Sequence, residues 1–396
     1  MIRTQVEPSF EPFEPGARAA VATPSPGFAP GNETWLWLLV LLLAGVGTIM
    51  VYSASSVIAL RRFNDSYFFL KKQAVVVAVG IVLLGLFSRI PYRFYERLAK
   101  LGLILAIASM ALVWMPYFGI ELNGARRWFR LGSMQVQPSE YAKIAWIIYL
   151  GVYCARKRER IREFSKGILP PLILLGVMAL LLLIQPDFGT TVILAAVTML
   201  VLLAAGARWS HFLLLTLLVG ALFYLVVYRS PYRWARIIAF WDPWVSPLSS
   251  GYQLIQSWIA VGSGGLAGKG LGGGHQKLFY LPEPFTDFIL AVIGEELGWL
   301  GIVAVACLFT GLILVAIRVA RGAPDALGSY LAFGVAALFF IESFMNMGVV
   351  LGLLPTKGLA LPLVSYGGSS FTASCMALGI LINVARGTEQ VAEIDV

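Results

Sequence analysis

Charged residues, histidines and cysteines are scarce in this sequence. Only 13% of its 396 residues are charged, whereas 59% are apolar, and the mean hydropathy is +0.80. Soluble domains average about 25% charged residues. A composition this apolar excludes an ordinary soluble protein and is typical of a polytopic membrane protein.

The histidines and cysteines predict neither a metal site nor a disulfide framework. His211 and His275 are far apart, without the spacing of metal ligands. Cys154, Cys307 and Cys375 are odd in number and lie inside apolar runs, as core residues do. The net charge of +9 is not gathered into one patch, so no nucleic-acid partner is predicted.

Apolar runs long enough to cross a bilayer begin at Trp35, and we count about ten of them. We therefore predict an all-α membrane domain over residues 34–386. Residues 1–33 are rich in proline and glutamate and are expected to form a disordered cytoplasmic tail, with a second tail at 387–396. The predicted spans are 35–60, 69–87, 98–116, 138–155, 168–185, 187–206, 210–228, 287–317, 328–351 and 369–385.

Basic residues near the ends of these spans orient the chain. Lys and Arg are nearly equal in number on the two sides, but a dense cluster in the short segment 156–166 favours the cytoplasm for its side. We therefore expect both termini in the cytoplasm and one large outer loop, 229–286, between the seventh and eighth helices. An anionic substrate on the outer face would account for the many basic residues there.

Asp287 lies where this outer loop meets a long apolar helix. Pro282 and Pro284 stop any earlier helix, so we expect the new helix to begin near Thr286, a good N-cap residue. Asp287 is then either an acid stabilised by the helix start or a functional carboxylate at the membrane edge.

Small residues lie below Asp287 on one face of this predicted helix, at positions 291, 294, 298 and 301. Such a stripe is typical of a close helix–helix contact. It also suits the wall of a groove that holds a lipid chain, and both interpretations stay open. Glu295 points away from Asp287 and is expected to be a structural partner.

Three arginines, Arg126, Arg127 and Arg130, flank Trp128 and Phe129 in the loop before the fourth span. Arg with aromatic residues at a membrane edge is often an interfacial belt. Three guanidinium groups so close together also suit a pyrophosphate.

Ionisable residues also begin two of the spans. Glu140 and Lys143 are three residues apart at the start of the fourth and can pair on one helix face. Asp187 follows Gln185-Pro186 in the same kind of helix start, and is expected to face the same compartment as Asp287. Because ionisable residues inside a membrane are costly, such a pair is kept for packing or for a site.

Two further outer segments are rich in glycine. Residues 262–274 lack the spacing of a Walker loop, and we interpret them as a flexible loop that closes over a ligand. The second segment, 355–370, is interrupted by Pro and Gly and contributes a further outer cation, Lys357; Ser369 is expected to cap the last helix.

Together these segments resemble the SEDS family of membrane peptidoglycan polymerases, and its division-type branch in particular. The resemblance covers nearly all of 35–385. It is carried by Asn123-Gly-Ala-Arg-Arg-Trp128, Gln137-Pro-Ser-Glu140, Gln185-Pro-Asp-Phe-Gly189, Leu281-Pro-Glu-Pro-Phe-Thr-Asp-Phe288, Gly294-Glu-Glu-Leu-Gly298, Pro355-Thr-Lys-Gly358 and Ser365-Tyr-Gly-Gly-Ser369.

The resemblance implies a ten-span fold with both ends inside, and an enzyme that polymerises lipid II on the outer face of the bacterial cytoplasmic membrane, at the division site. Undecaprenyl pyrophosphate would leave. The family's essential acid falls on Asp287, expected to be the general base of an inverting transfer. The expected substrate-binding residues are Arg127, Glu140, Lys143, Asp187, Lys357 and Ser365.

No metal ligand and no certain cofactor is implied, although a divalent cation would suit the pyrophosphate. The family's usual histidine is Phe285 here, so no histidine role is carried over. The implied partners are a class B penicillin-binding transpeptidase, FtsI-like, and other membrane proteins of the division machinery.

Two other functions fit the same residues. A flippase or transporter of lipid II also needs acids and cations along a membrane groove. A scaffold that only recruits a transpeptidase would not depend on Asp287.

Overall fold

The computed structural model describes residues 31–115, 118–122, 125–132, 134–229 and 231–394. The fold in these ranges is mainly helical, with one small sheet. Most of the predicted N-terminal tail lies outside the described residues. The helices are α1 (Asn32–Phe63), α2 (Phe68–Arg89), α3 (Tyr92–Val113), α4 (Pro138–Arg156), α5 (Leu169–Ile184), α6 (Phe188–Ala204), α7 (Trp209–Tyr228), α8 (Pro231–Trp241), α9 (Tyr252–Gly264), α10 (Ile289–Gly322), α11 (Ala326–Val350) and α12 (Gly368–Ile394).

All ten predicted spans coincide with helices, namely α1–α7 and α10–α12. Helix α12 continues to Ile394, past the predicted boundary at 386. Six helical segments in the described ranges are long and apolar enough to cross a membrane: Asn32–Phe63, Phe68–Arg89, Phe164–Ile184, Ile289–Gly322, Ala326–Val350 and Gly368–Thr388. The chain is therefore a multi-pass membrane protein, and the count of ten spans stays a prediction.

A three-stranded antiparallel sheet lies between α3 and α4, and the sequence patterns did not predict it. Its strands are β1 (Gly119–Leu122), β2 (Ala125–Leu131) and β3 (Met134–Val136), in that order. A bulge between Ile120 and Glu121 shifts the register of β1 against β2. The predicted turn at Asn123-Gly124 lies outside the described residues. The sheet gives Arg127 a fixed strand position.

Helix α10 is broken at Gly298, where the backbone is left-handed (φ 68°). The break removes the helical hydrogen bonds that Trp299 and Leu300 would donate to the oxygens of Glu295 and Glu296. The segment 265–270 replaces both. Lys269 and Gly270 donate to those two oxygens at 3.0 and 2.9 Å, and Trp299 and Leu300 donate to the oxygens of residues 265 and 266 at 3.0 and 3.1 Å. These four backbone groups are thus paired with the segment 265–270, which avoids the cost of leaving buried polar groups unsatisfied.

The prediction of a flexible loop at 262–274 is therefore wrong, because backbone hydrogen bonds attach this segment to α10. The groove-wall interpretation of the small-residue stripe is also wrong at its centre. A Cβ built on Gly264 of α9 would lie 2.0 Å from the oxygen of Gly294, so the two helices are in direct backbone contact. The small residues serve helix packing.

Several helices begin at one end of the molecule and bring the predicted site residues together there. Ser369, at the start of α12, accepts a hydrogen bond of 2.9 Å from the backbone N–H of Gln137, just before α4. Phe285, just before α10, lies against Phe69 at the start of α2, with ring centroids 4.8 Å apart. This end holds Asp287.

Candidate functional site

Asp287 lies in the loop before α10, which begins at Ile289 and not near Thr286 as predicted. The hydroxyl of Thr286 donates to the carboxylate of Glu283 at 3.0 Å, so it does not cap the helix. The N–H of Phe288 also donates to the backbone oxygen of Glu283, at 3.3 Å. These bonds form a turn that delays the helix by three residues and leaves Asp287 half-buried outside it.

The loop that carries Asp287 is hydrogen-bonded to the segment 359–366. The N–H of Tyr366 donates to the oxygen of Phe285 at 2.9 Å. The hydroxyl of Ser365 donates to the oxygen of Thr286 and accepts from the N–H of Leu361 at 2.8 Å. Ser365 is only 3% exposed, so in this structure the predicted substrate contact holds the loop in place.

Asn346 of α11 makes a further link between these two segments. Its side-chain amide donates to the backbone oxygen of Asp287 at 2.9 Å and also to that of Leu359. The sequence patterns did not predict a role for Asn346. A signal was present in the sequence, because Asn346 is a polar residue in an apolar helix and lies four residues after the ionisable Glu342.

Gly358 lies directly against the carboxylate of Asp287. A Cβ at position 358 would come within 2.7 Å of Oδ2, so any side chain here would crowd the acid. The neighbouring Lys357 places its ammonium 3.6 Å from the centre of the Phe188 ring. Lys357 therefore lies against the first residue of α6, next in sequence to the glycine that contacts Asp287.

Asp187 caps α6 and is 6% exposed. Its carboxylate accepts hydrogen bonds from the N–H of Thr190 at 3.3 Å and from its hydroxyl at 2.9 Å. The predicted helix start is thus confirmed. The carboxylate that was expected to contact substrate is used within the protein.

Two arginines reach this end of the molecule from β2 and α8. Arg127 of β2 donates to the backbone oxygens of Gln185 and Pro186 at 2.8 and 2.6 Å. Arg236 of α8 donates to the oxygen of Thr356 at 3.1 Å. Each guanidinium is thus held beside a segment that surrounds Asp287.

The environment of Asp287 raises its pKa to about 7. Burial is the largest cause, because it disfavours the charged form, and the negative charge of Glu283 adds to it. Arg236 and Arg127 oppose the shift. A carboxyl group with a pKa near neutral pH suits a general acid or base.

Lys143 lies in a buried triad of charges below the loop. Its ammonium is 2.9 Å from a carboxylate oxygen of Glu140 and also contacts Glu342 of α11. Lys143 and Glu342 are 4% and 5% exposed. The predicted pairing of Glu140 with Lys143 is confirmed, and Glu342 is a partner that the sequence analysis missed. One turn along α11 from Glu342 lies Asn346.

Glu295 and Glu296 are fully buried and hold the glycine-rich segment. Glu295 accepts from Lys269 at 2.8 Å and from the N–H groups of residues 275 and 276 at 2.8 and 3.0 Å. Glu296 accepts from Lys277 at 2.6 Å and from Ser53 of α1 at 2.6 Å. The prediction of a structural role for Glu295 is confirmed.

The described ranges contain no group of three or more His, Cys, Asp or Glu side chains placed to hold a metal ion. A divalent ion that arrives with a pyrophosphate needs only one or two protein carboxylates, so this finding does not test the predicted cation.

Comparison with known proteins identifies similar chains. The family model for FtsW, RodA and SpoVE, described as "Cell cycle protein", matches residues 33–390. A Geobacter metallireducens protein named "Probable peptidoglycan glycosyltransferase FtsW" is 44% identical over 348 residues, which are 88% of this chain and 93% of that protein.

Solved structures share the fold. One chain comes from work described as "Structural coordination of polymerization and crosslinking by a peptidoglycan synthase complex". It is 29% identical with a TM-score of 0.75, over 90% of this chain and 98% of that one. The rod shape determining protein RodA of Thermus thermophilus is 28% identical with a TM-score of 0.66, over 89% of this chain and 95% of that one.

Proposed function

The chain belongs to the FtsW, RodA and SpoVE family and is a peptidoglycan glycosyltransferase of cell division, and we propose that it joins lipid II units with Asp287 as the general base. The resemblance noted from the sequence motifs is confirmed by the family match and by relatives named FtsW. We further propose that the reaction takes place on the outer face of the bacterial cytoplasmic membrane at the division site, and that both termini are cytoplasmic.

The observation that carries the assignment of Asp287 is its environment. The carboxyl group is half-buried, its pKa is raised to about 7, and two arginines oppose the shift. Near neutral pH such a group is present both as carboxylate and as acid, so it can take a proton and release it again. A carboxyl group with the ordinary pKa of about 4 would be a weaker proton acceptor.

In the proposed step, the carboxylate of Asp287 removes the proton from a sugar hydroxyl of the acceptor. The hydroxyl oxygen then attacks the anomeric carbon of the lipid-linked donor. The bond from this carbon to the pyrophosphate oxygen breaks with inversion, and the electron pair leaves with undecaprenyl pyrophosphate. A positioned base typically contributes about 10²–10⁴-fold in rate.

Positive charge near the leaving group stabilises the developing pyrophosphate anion. Arg127 and Arg236 supply positive potential at Asp287, and Lys357 lies in the adjoining segment. We propose these three residues for the pyrophosphate. Arg236 replaces Lys143 in this role, because the ammonium of Lys143 is buried between two carboxylates.

The other predicted substrate-binding residues have a positioning role in this proposal. Glu140 and Lys143 support α11 through Glu342, Asp187 caps α6, and Ser365 holds the Asp287 loop. Each acts on the site through the segment that it fixes.

We propose that the chain works with a penicillin-binding transpeptidase. The support is its similarity to a chain of a peptidoglycan synthase complex that coordinates polymerization and crosslinking. In such a pair this chain makes the glycan and the partner crosslinks it. The class B, FtsI-like assignment and other division proteins as partners extend this proposal.

The test uses purified protein, alone and with its transpeptidase, incubated with lipid II in detergent. We expect glycan polymer from the wild type and at least a 100-fold loss in Asp287→Asn, which keeps the side chain's shape without the base. Polymer at the wild-type rate from a folded Asp287→Asn variant would contradict the proposal. A flippase or a scaffold predicts no polymer from the purified wild-type protein alone, because neither joins sugars; transport also has no compartments to cross in detergent.

A further inference from the structure

A cavity of about 370 Å³ lies between the α2–α3 connection and α12. Its lining includes Arg89 at the end of α2, Arg93 in the first turn of α3 and Arg386 of α12. No carboxylate is among the lining residues. The proposed polymerase function does not use this cavity.

The cavity lies at the membrane face opposite Asp287. Helix α2 begins beside Phe285 and has 22 residues, so Arg89 lies about 30 Å further along at ~1.5 Å per residue. Helix α12 runs the same way from Gly368, and Arg386 lies about 27 Å from its start. These distances equal the thickness of the hydrocarbon core of a bilayer, about 30 Å.

The charges around the cavity leave one positive charge in excess. Arg386 is paired with Glu33 through two hydrogen bonds, one of them 2.8 Å long. Arg93 lies 3.2 Å from a carboxylate oxygen of Asp325. Among the described residues, the guanidinium of Arg89 has no ion pair, and its side chain is exposed. Among the residues that the structure describes, three arginines thus face two paired carboxylates, and one phosphodiester would neutralise the remaining positive charge.

Apolar surface leads away from this charge along the membrane. Leu86 and Val82 of α2 are 52% and 69% exposed, three and seven residues before Arg89, so all three lie on one face of the helix. Phe94 of α3 is 47% exposed beside Arg93. A cationic site at the end of an apolar helix face matches the two parts of a phospholipid, the headgroup and the acyl chains.

We propose that this cavity binds the phosphate headgroup of an anionic phospholipid, with its acyl chains along the exposed faces of α2 and α3. Arg89 and Arg93 donate to the phosphate oxygens. The backbone oxygen of Ser88 already accepts from Arg386 and Asn383, so these two residues fix the rear of the site. Basic pockets between membrane helices bind anionic lipid headgroups in this way.

The test measures binding of short-chain phosphatidylglycerol to the purified full-length protein, with short-chain phosphatidylcholine and glycerol 3-phosphate as comparison ligands. We expect phosphatidylglycerol to bind the wild type at least about tenfold more tightly than either. The double variant Arg89→Gln, Arg93→Gln should lose about tenfold or more, as expected for lost hydrogen bonds between charged groups. The matched control is Arg97→Gln, which removes an exposed arginine one turn after Arg93 and outside the cavity.

Each outcome decides the proposal. Equal binding to the wild type and the double variant would overturn it, since the lipid would then be bound non-specifically. If glycerol 3-phosphate bound the wild type as tightly as phosphatidylglycerol does, the ligand would be a soluble phosphate, and the proposal of a phospholipid would be wrong. A loss in Arg97→Gln as large as in the double variant would show only a general effect of charge. Lipid II polymerisation by the double variant in detergent serves as the check on folding.

Discussion

The side-chain amide of Asn346 donates a hydrogen bond of 2.9 Å to the backbone oxygen of Asp287. The same amide nitrogen donates to Leu359, so one side chain fixes Asp287 relative to the segment that carries Lys357 and Gly358. Asn346 is 2% exposed and belongs to the same helix as Glu342. The buried triad and Asp287 are therefore connected through α11.

Asn346→Asp keeps the shape of this side chain and removes the donor. A carboxylate cannot donate to the two backbone oxygens, and a protonated carboxyl group can donate to only one of them, so Asp287 loses its fixed position. We expect kcat for lipid II polymerisation to fall about 10–100-fold, as small misplacements of catalytic groups do, while KM changes little. Steady-state kinetics with purified protein measure both, and a thermal melt confirms folding. A wild-type kcat would show that the Asn346 bond does not position the base.

If Asp287 is the general base that we propose, its pKa sets the pH dependence of the reaction. A general base must be deprotonated to act, and the pKa of Asp287 is raised to about 7. The rate should therefore be low in acid and rise as the pH increases through about 7. Initial rates between pH 5 and 9 measure this limb. A rate that is already constant above pH 5 would mean that the essential group has an ordinary carboxyl pKa.

Replacing either of two charged neighbours of Asp287 should shift the midpoint of this pH dependence, in opposite directions. Glu283 raises the pKa of Asp287 and Arg236 lowers it. Glu283→Gln removes a negative charge and should move the midpoint to lower pH, whereas Arg236→Gln should move it to higher pH. Arg126→Gln, which breaks an ion pair with Glu121, is the matched control and should leave the midpoint unchanged. A shift of both variants in one direction would contradict the assignment.

Replacing Lys143 distinguishes a positioning role for this residue from direct contact with the pyrophosphate. Lys143→Met leaves two buried carboxylates without their cation, and we expect destabilisation by about 3–5 kcal/mol. The measurement is a thermal melt in detergent, compared with Lys71→Met, which breaks an exposed ion pair with Asp65. If Lys143→Met melts like the wild type but raises the KM for lipid II, Lys143 contacts substrate and the positioning role is wrong.

A substitution at Gly298 tests whether the break in α10 requires glycine. A Cβ there would lie 2.3 Å from the oxygen of Leu266, and the left-handed backbone also disfavours a side chain. Gly298→Ala should therefore lower both the melting temperature and polymerase activity. Gly45→Ala is the matched control, because nothing lies within 4 Å of a Cβ on this exposed helical glycine. Equal behaviour of the two variants would show that the helix tolerates a side chain at the break.

The long apolar runs could be predicted because hydrophobic length and composition are local properties of a sequence. Asp187 and the Glu140–Lys143 pair could be predicted for the same reason, since their partners are three residues away. The start of α10 could not, because Thr286 uses its hydroxyl on Glu283 rather than on the helix end. Glu342 and Asn346 depend on contacts between residues distant in sequence, and such contacts leave no periodic pattern.

The structure of the glycine-rich segment 262–274 also depends on residues distant in sequence, so it could not be predicted. Its composition indicates flexibility, but its backbone pairs with groups that a break elsewhere in the chain exposes. The substrate roles predicted for Lys143 and Ser365 came from the resemblance of their motifs to the SEDS family. Their burial could only be read from the packed helices.

The pairing of residues 265–270 with the break in α10 has a consequence for exchanging parts between relatives. These six residues pair with both sides of the break through four backbone hydrogen bonds. The number of residues between the first and last bonded positions is therefore fixed. A chimera that swaps this segment should tolerate new side chains at the exposed positions 266 and 267, whereas Gly265 has a positive φ of 57° and should stay glycine. The chimera should fail when a single residue is inserted or deleted there, although surface loops elsewhere usually accept such changes.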